Sequence, residues 1–467
     1  MSKALLGATW LDRRRERSLV AGLLFIALLA LASPATAKAL SLNEALAAAY
    51  DNNPQLAAAR AAQRKVDEGV PQALALRRPT VTGQAGVGAT NGAATASGGS
   101  NGTQTETRVG PVGAVALNVP LWTAGRADAA ITGANARIEA GLDSLRATEQ
   151  DVLLRAATAY ADVLRAQNVM DVNRKHEQEL DAELAAAKRR FGAGELRGTD
   201  VSATEAQAAL GRARVTQAEG DLDLARQVFR GTVGLEPDHL QSAHLPPGLP
   251  ARREESVDAA ADSPAVAAAS HTVDAARAAL TSARAQLRPS LAATGSVGYP
   301  VSSGEIVLSI PLLDGGLAES QSRGAKQELD QRRLELDGQR ITARQDAVTA
   351  WDSLETARAG IGADEAQVQA AQRTRDGLAR EAAQGLRTQL DVLASEQHLL
   401  DAELALAGAR RDELVGAYRL LAATGHLSAQ ELGLPVEPYD AGRYAAATGA
   451  PLWDPAEVGH AYRDLRP

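Results

Sequence analysis

The sequence predicts a mainly α-helical protein carrying a transmembrane β-barrel, and three observations predict it. The chain is internally duplicated. Each copy holds two strand-like segments of alternating polarity at the same place. Each copy then runs for more than sixty residues without proline, from Gly125 to Phe191 and from Gly316 to Gln384.

The duplication sets the frame. Asn53-Pro54 matches Ser263-Pro264, and Arg78-Pro79 matches Arg288-Pro289, both at an offset of 210. Beyond them the offset becomes 191 and stays there. Pro120-Leu121 falls on Pro311-Leu312, Gly125 on Gly316, and Ala159-Tyr160 on Ala350-Trp351. Gly194 falls on Gly385, Asp200-Val201 on Asp391-Val392, Glu205 on Glu396, and Gly234 on Gly425. The second copy therefore lacks 19 residues between its Arg-Pro and its Pro-Leu, where the strands lie.

The strands are read from period 2, which puts one set of side chains on one face. Val81, Gly83, Ala85 and Val87 alternate with Thr82, Gln84 and Gly86; Val109, Gly113, Val115, Leu117, Val119 and Leu121 form the apolar set of the next strand. The stretch from Ala89 to Glu106 is rich in Gly, Ala, Ser, Thr and Asn and reads as a loop between them. In the second copy Leu291, Ala293, Val297 and Tyr299 share one face, and Ile306, Leu308, Ile310 and Leu312 another, joined by Pro300 to Gly304. The hairpins are placed at 79–121 and 289–313. A spanning strand needs about 9–11 residues, so the second hairpin sits near the minimum.

The helices are read from a seam. Val152, Ala156, Ala159, Val163, Ala166 and Met170 step by 4 and 3, and the same register recurs at Ala343, Ala347, Ala350, Leu354, Ala357 and Ile361. Such spacing gives coiled-coil packing, and small seam residues let helices approach closely. A helix of this length is about 100 Å long. A tight turn at Gly192-Ala193-Gly194 precedes a return helix seamed by Ala208, Gly211, Val215, Ala218, Leu222, Ala225 and Phe229. Its second copy breaks at Glu413, the equivalent of Leu222. The resulting division is a first repeat at 38–235, a proline-rich linker at 236–262, a second repeat at 263–426 and a C-terminal tail at 427–467.

Residues 1–37 read as a signal peptide. Lys3, Arg13, Arg14, Arg15 and Arg17 form a basic start, Leu19 to Ala32 an apolar run, and Ala35-Thr36-Ala37 a small-residue cleavage site. No later segment approaches 18 consecutive apolar residues, so any membrane crossing must use strands in a closed barrel. Cysteine is absent, which excludes disulfides, thiolate metal sites, a Cys nucleophile and a lipidated N-terminal Cys. The net charge of −8, without a basic stripe, gives no support for nucleic-acid binding. The seven histidines make no His-Glu-x-x-His pair, and the Gly-rich run at Gly86-Val87-Gly88 has Asn91 where a dinucleotide site needs Gly. No enzyme and no cofactor is expected. A periplasmic coiled-coil structural or adaptor protein is the alternative for the helices taken alone, but it leaves the strands unexplained.

In order, each half reads helix, Arg-Pro, strand, loop, strand, Pro-Leu, Gly, long helix, turn, Asp-Val, helix. Leu40-Ser41-Leu42-Asn43-Glu44-Ala45-Leu46 with Asn52-Asn53-Pro54, and Pro311-Leu312-Leu313-Asp314-Gly315-Gly316, complete the pattern. Over about residues 40 to 427 this resembles the TolC family of outer-membrane channels. The resemblance implies a homotrimer in which four strands per chain close one 12-stranded barrel in outer-membrane lipid, continuing into a long periplasmic α-helical coiled-coil tunnel. It implies as partners a periplasmic adaptor (membrane fusion) protein and an inner-membrane ABC or resistance-type pump, and as cargo a protein in type I secretion or small molecules in efflux.

The resemblance also implies a gate at the periplasmic turns. Asp200 matches the family's acidic partner in the first repeat and Arg387 its basic partner in the second. Asp391 matches the carboxylate that symmetry repeats into an acidic, cation-preferring ring. The family's tyrosine in that network falls on Ala382, and a second acidic ring found in some members falls on Ala394. One link and one ring are therefore expected to be missing. Asp200 is also well suited to a helix N-terminus, a role compatible with gating.

Overall fold

The computed structural model describes residues 39–94, 104–237, 239–299, 302–440 and 444. The first copy holds α1 (Leu42–Asn52), α2 (Pro54–Asp67), α3 (Gly69–Ala75), β1 (Thr80–Ala94), β2 (Gln104–Trp122), α4 (Arg126–Gly192) and α5 (Gly198–Val233). Then come α6 (Arg253–Ala260), α7 (Pro264–Ala285), β3 (Ser290–Tyr299), β4 (Ser303–Ser309), α8 (Leu317–Ala383) and α9 (Gln389–Ala423). The signal-peptide reading of 1–37 lies outside the described residues.

Local chemistry sets the boundaries. Ser41 and Glu44 form a reciprocal capping box at α1, with Ser41 N–H donating to Glu44 Oε2 at 3.0 Å. Asn53 ends α1 and caps α2, its Oδ1 accepting from Gln55 N–H at 2.8 Å, with Pro54 in the first turn. The glycines shared by the two copies sit where φ is positive: Gly194 and Gly385 at the hairpin turns have φ of 80° and 76°. A side chain there is strained, so only glycine reverses the chain at no steric cost.

α4 and α8 are 67 residues each. They are twice as long as the return helices, 36 and 35 residues. α5 and α9 pack along the turn-side parts of α4 and α8, while α1–α3 and α7 cover the strand-side part of α4 and α7 also reaches α8. The seams do the packing: Val152, Ala156, Ala159, Val163 and Ala166 are buried, as are Ala343, Ala347, Ala350 and Leu354. On α5 Ala208, Gly211, Val215, Ala218, Leu222 and Phe229 are buried in turn. Glu413, where the second seam breaks, is partly buried and pairs with Arg358 of α8 at 3.6 Å.

The largest core lies part-way along the helices. Leu46, Leu56, Leu153, Tyr160, Phe229, Tyr418 and Leu427 belong to it. The Tyr160 hydroxyl reaches the carbonyls of Leu40 (2.8 Å) and Gln241 (2.7 Å), tying the N-terminal segment and the linker to α4. The stretch 236–262 is more than a linker, since it contains α6 and the bridge of Leu240 to Leu40. The start of the tail joins the same core through Leu427, Ala429 and Leu434, with Ala429 N–H donating to Glu149 Oε1 at 2.8 Å.

The four strands form one antiparallel sheet in the order β1-β2-β3-β4. Its register gathers the apolar residues on one face. Gly83, Val115 and Val297 make one row, Val81, Leu117 and Gly295 another, and Val119, Ala293 and Ile306 a third. The opposite face carries Thr82, Ala116, Ser296 and Ser303, then Asn118, Thr294 and Glu305. Two boundaries depart from expectation. Pairing of β1 with β2 continues to Ala94↔Gln104, well into the stretch read as loop, because small and Thr residues do not end a ladder whose partner is present. β4 stops at Ser309, so Ile310 and Leu312 lie beyond the strand whose face they were expected to share. Pro311 has no N–H for the ladder and accounts for the stop. Pro120, its equivalent, is accommodated beside a register shift in β2.

Candidate functional site

The candidate site is the end of the helices farthest from the sheet, where the chain turns twice, at 193–197 and 384–388. Both turns lead into a helix whose third residue is aspartate. At α9, Thr388 is the cap: its N–H and hydroxyl donate to Asp391 Oδ2 at 3.0 and 2.8 Å, and Asp391 N–H donates to Thr388 Oγ1 at 3.2 Å. At α5, Arg197 N–H donates to Asp200 Oδ2 at 3.4 Å. Hydrogen bonds from the Thr388 backbone and hydroxyl, with the nearby Arg387 charge, hold the Asp391 carboxyl below its ordinary value. It is a partly buried carboxylate whose hydrogen bonds favour the ionised form.

Of the three residues expected to gate, Arg387 and Asp391 feel each other's charge, but Arg387 makes its ion pair elsewhere. Arg387 is exposed and pairs with Glu381 across its own turn, Nε to Oε2 at 3.0 Å. Asp200 and Asp391 each serve as a helix-start acceptor. Ala382 and Ala394 add no polar group at the turn.

A second polar cluster, missed in the sequence, lies slightly farther from the turns. Glu396 of α9 is only 5% exposed, and its carboxyl meets that of Glu183 on α4. Burial first, then the neighbouring Glu183 and Glu179 charges, pushes Glu396 up to about 8. Burial raises Glu183 as well. Gln389 Nε2 donates to Glu183 Oε2 at 3.3 Å. Arg375 of α8 lies 3.9 Å from Glu179 and 2.9 Å from Asp376. The repeat offered one signal: Glu396 is the counterpart of Glu205, which pairs with Lys188 at 2.8 Å. The counterpart of Lys188 is Ala379, so Glu396 has lost its base.

Among the described residues no group of three or more acidic or histidine side chains is arranged to hold a metal ion, and no helix is long and apolar enough to cross a membrane. The sheet supplies what such a helix does not: an apolar face backed by a polar one, as in a barrel set between lipid and water. An apolar-faced sheet at one end of helices about 100 Å long defines an outer-membrane channel with a long extramembrane tunnel.

The chain belongs to the outer membrane efflux protein family, which matches residues 45–234 and 256–426. It is 31% identical over 412 residues to the outer membrane efflux protein BepC of Brucella suis, covering 85% of this chain and 88% of that one. It is 26% identical to the alkaline protease secretion protein AprF of Pseudomonas aeruginosa, over 65% of this chain and 67% of that one. Its fold matches the outer membrane protein VceC of Vibrio cholerae with a TM-score of 0.71 at 22% identity, covering 82% of this chain and 96% of that one. The chain is thus an exit duct of the outer membrane with a large periplasmic portion. The soluble coiled-coil alternative is set aside.

Proposed function

We propose that three copies of this chain form the outer-membrane end of a tripartite export system. The cargo, a protein in type I secretion or small molecules in efflux, arrives from an inner-membrane ABC or resistance-type pump through a periplasmic adaptor protein. The single observation that supports the trimer best is the sheet: among the described residues β1 and β4 each have a partner on one side only. Four strands are too few to close. With an even number per chain, β4 of one copy meets β1 of the next antiparallel, and three copies give 12 strands. The resulting tunnel has no energy source of its own, so a pump must supply it. Within this reading residues 1–37 are removed on export, 38–235 and 263–426 are the repeats joined by 236–262, and 427–467 is a C-terminal tail.

In the same reading Asp391 is repeated by symmetry as an acidic ring at the periplasmic entrance, with Arg387 and Asp200 on neighbouring turns. An Asp391 carboxyl held toward its ionised form is what such a ring requires, because three carboxylates around a narrow pore favour cations and retain multivalent ones. Conductance across a planar bilayer tests it. Cation-selective steps blocked by a trivalent cation, and unblocked in Asp391→Ala, support both duct and gate. Selective steps indifferent to the substitution keep the duct and remove Asp391 from its entrance.

A further inference from the structure

The two helical hairpins of one chain are held side by side by polar contacts. Arg411 of α9 reaches Asp162 of α4 at 2.8 Å, and Arg214 of α5 reaches Gln397 of α9 at 2.5 Å. Toward the tips, just beyond the Gln389–Glu183 bond, two acids come together. Glu183 lies nine residues before the end of α4 and Glu396 seven residues into α9. Two carboxylates cannot share a buried contact when both are charged. One proton between them turns repulsion into a charge-assisted hydrogen bond, with Glu396 donating and Glu183 accepting.

We propose that the Glu183–Glu396 pair is a proton-operated latch: with one shared proton it fastens the α8/α9 hairpin to α4, and losing that proton releases the hairpin tip. The surroundings favour this role. From α4 the pair is faced by Glu179, whose charge opposes a second ionisation. From α8 it is faced by Arg375, whose charge favours ionisation of both acids but is shared with Glu179 and Asp376 and ranks behind burial and the acidic neighbours at Glu396. From α9 itself Gln389 donates to Glu183, reinforcing the ionised partner. α5 contributes Ala208, packed with Leu180 and Leu393, and Arg214, which is engaged by Gln397. The Oε2 atom of Glu396 is buried without a partner. Ionising this carboxyl would therefore strand a charge in an apolar contact, and the contact must part to hydrate it.

The direction with pH follows from linkage. The folded-state value of Glu396 lies above that of an unfolded glutamate, so the protonated folded state is favoured. The contact's contribution is complete at low pH and is lost as pH rises through about 8. The latch acts within one chain, so its test does not depend on the trimer. It rests on the duct reading only for its consequence, an entrance that loosens as pH rises.

The chain has no native cysteine. Arg189→Cys at the end of α4 and Leu386→Cys in the α8–α9 turn, both exposed, therefore give a clean spin-label pair. The full chain is labelled, diluted with unlabelled chain so that only intrachain distances are read, and compared at about pH 6 and about pH 9, on either side of the transition. The expected result is one narrow distance at the lower pH and a longer, broader distribution at the higher. In Glu396→Gln the amide donates to Glu183 at every pH, so the narrow distance should persist at both. An unchanged distance in the parent, or the same lengthening in Glu396→Gln, would overturn the latch. A chain that never trimerises but lengthens as described would keep the latch and refute the duct assembly.

Discussion

At the scale of single residues, the chain uses one carboxylate chemistry for opposite ends. Asp391, partly buried and bonded by Thr388, is held below the ordinary carboxylate value; Glu396, buried against another acid, is pushed above it. The depressed folded-state value of Asp391 means that its contribution is present above the unfolded aspartate value and is lost only as pH falls through the lower folded one. Cation selectivity carried by Asp391 should therefore persist below the ordinary aspartate value of about 4 and fade only at still lower pH, as a reversal-potential titration reads. Thr388→Ala removes the other half of the capping box and should cost about 1 kcal/mol, seen as earlier melting of the tip in amide exchange, with α4 unaffected. Tyr160→Phe should cost about 1 kcal/mol, because the Leu40 and Gln241 carbonyls lose their donor.

At the scale of elements, the seams and the sheet faces make separate predictions. Leu354 is 1% exposed between α8 and α9. Leu354→Ala should lower stability by about 2–5 kcal/mol, measured by denaturant melting of the helical signal. On the sheet, Ile306→Arg puts a charge on the lipid-facing row and should cost about 2–4 kcal/mol at mid-membrane depth. Thr294→Arg, on the opposite face of the adjacent strand, should leave membrane insertion intact; the amount of each protein in the outer-membrane fraction decides. Much of this level was legible because it repeats. Val152 to Ala166 and Ala343 to Leu354 announce the same seam twice, and alternation from Val81 to Leu121 announces a face. Element ends were less legible, since Pro311 stopped β4 before Ile310 while Gly- and Thr-rich residues extended β1 to Ala94. The Glu183–Glu396 contact left no local pattern at all. It joins residues of different halves, and only the packing of α9 on α4 puts them together.

At the scale of the whole molecule, duplication explains how one chain spans two compartments. Each copy contributes a hairpin to the sheet and a helix about 100 Å long with a return helix about half that length, and neither copy is self-sufficient. The sheet leaves two open edges, and exposed Leu334 and Ile341 leave apolar surface on α8. A second and third copy would satisfy both. The most direct measurement of that claim is disulfide cross-linking of Thr82→Cys on β1 with Glu305→Cys on β4, both on the polar face, in a chain otherwise free of cysteine. Oxidation of the double variant in the membrane should yield covalent dimers and closed trimers on a denaturing gel, while either single variant stays monomeric. A double variant that remains monomeric, with the rest of the fold intact, would contradict a barrel closed between copies.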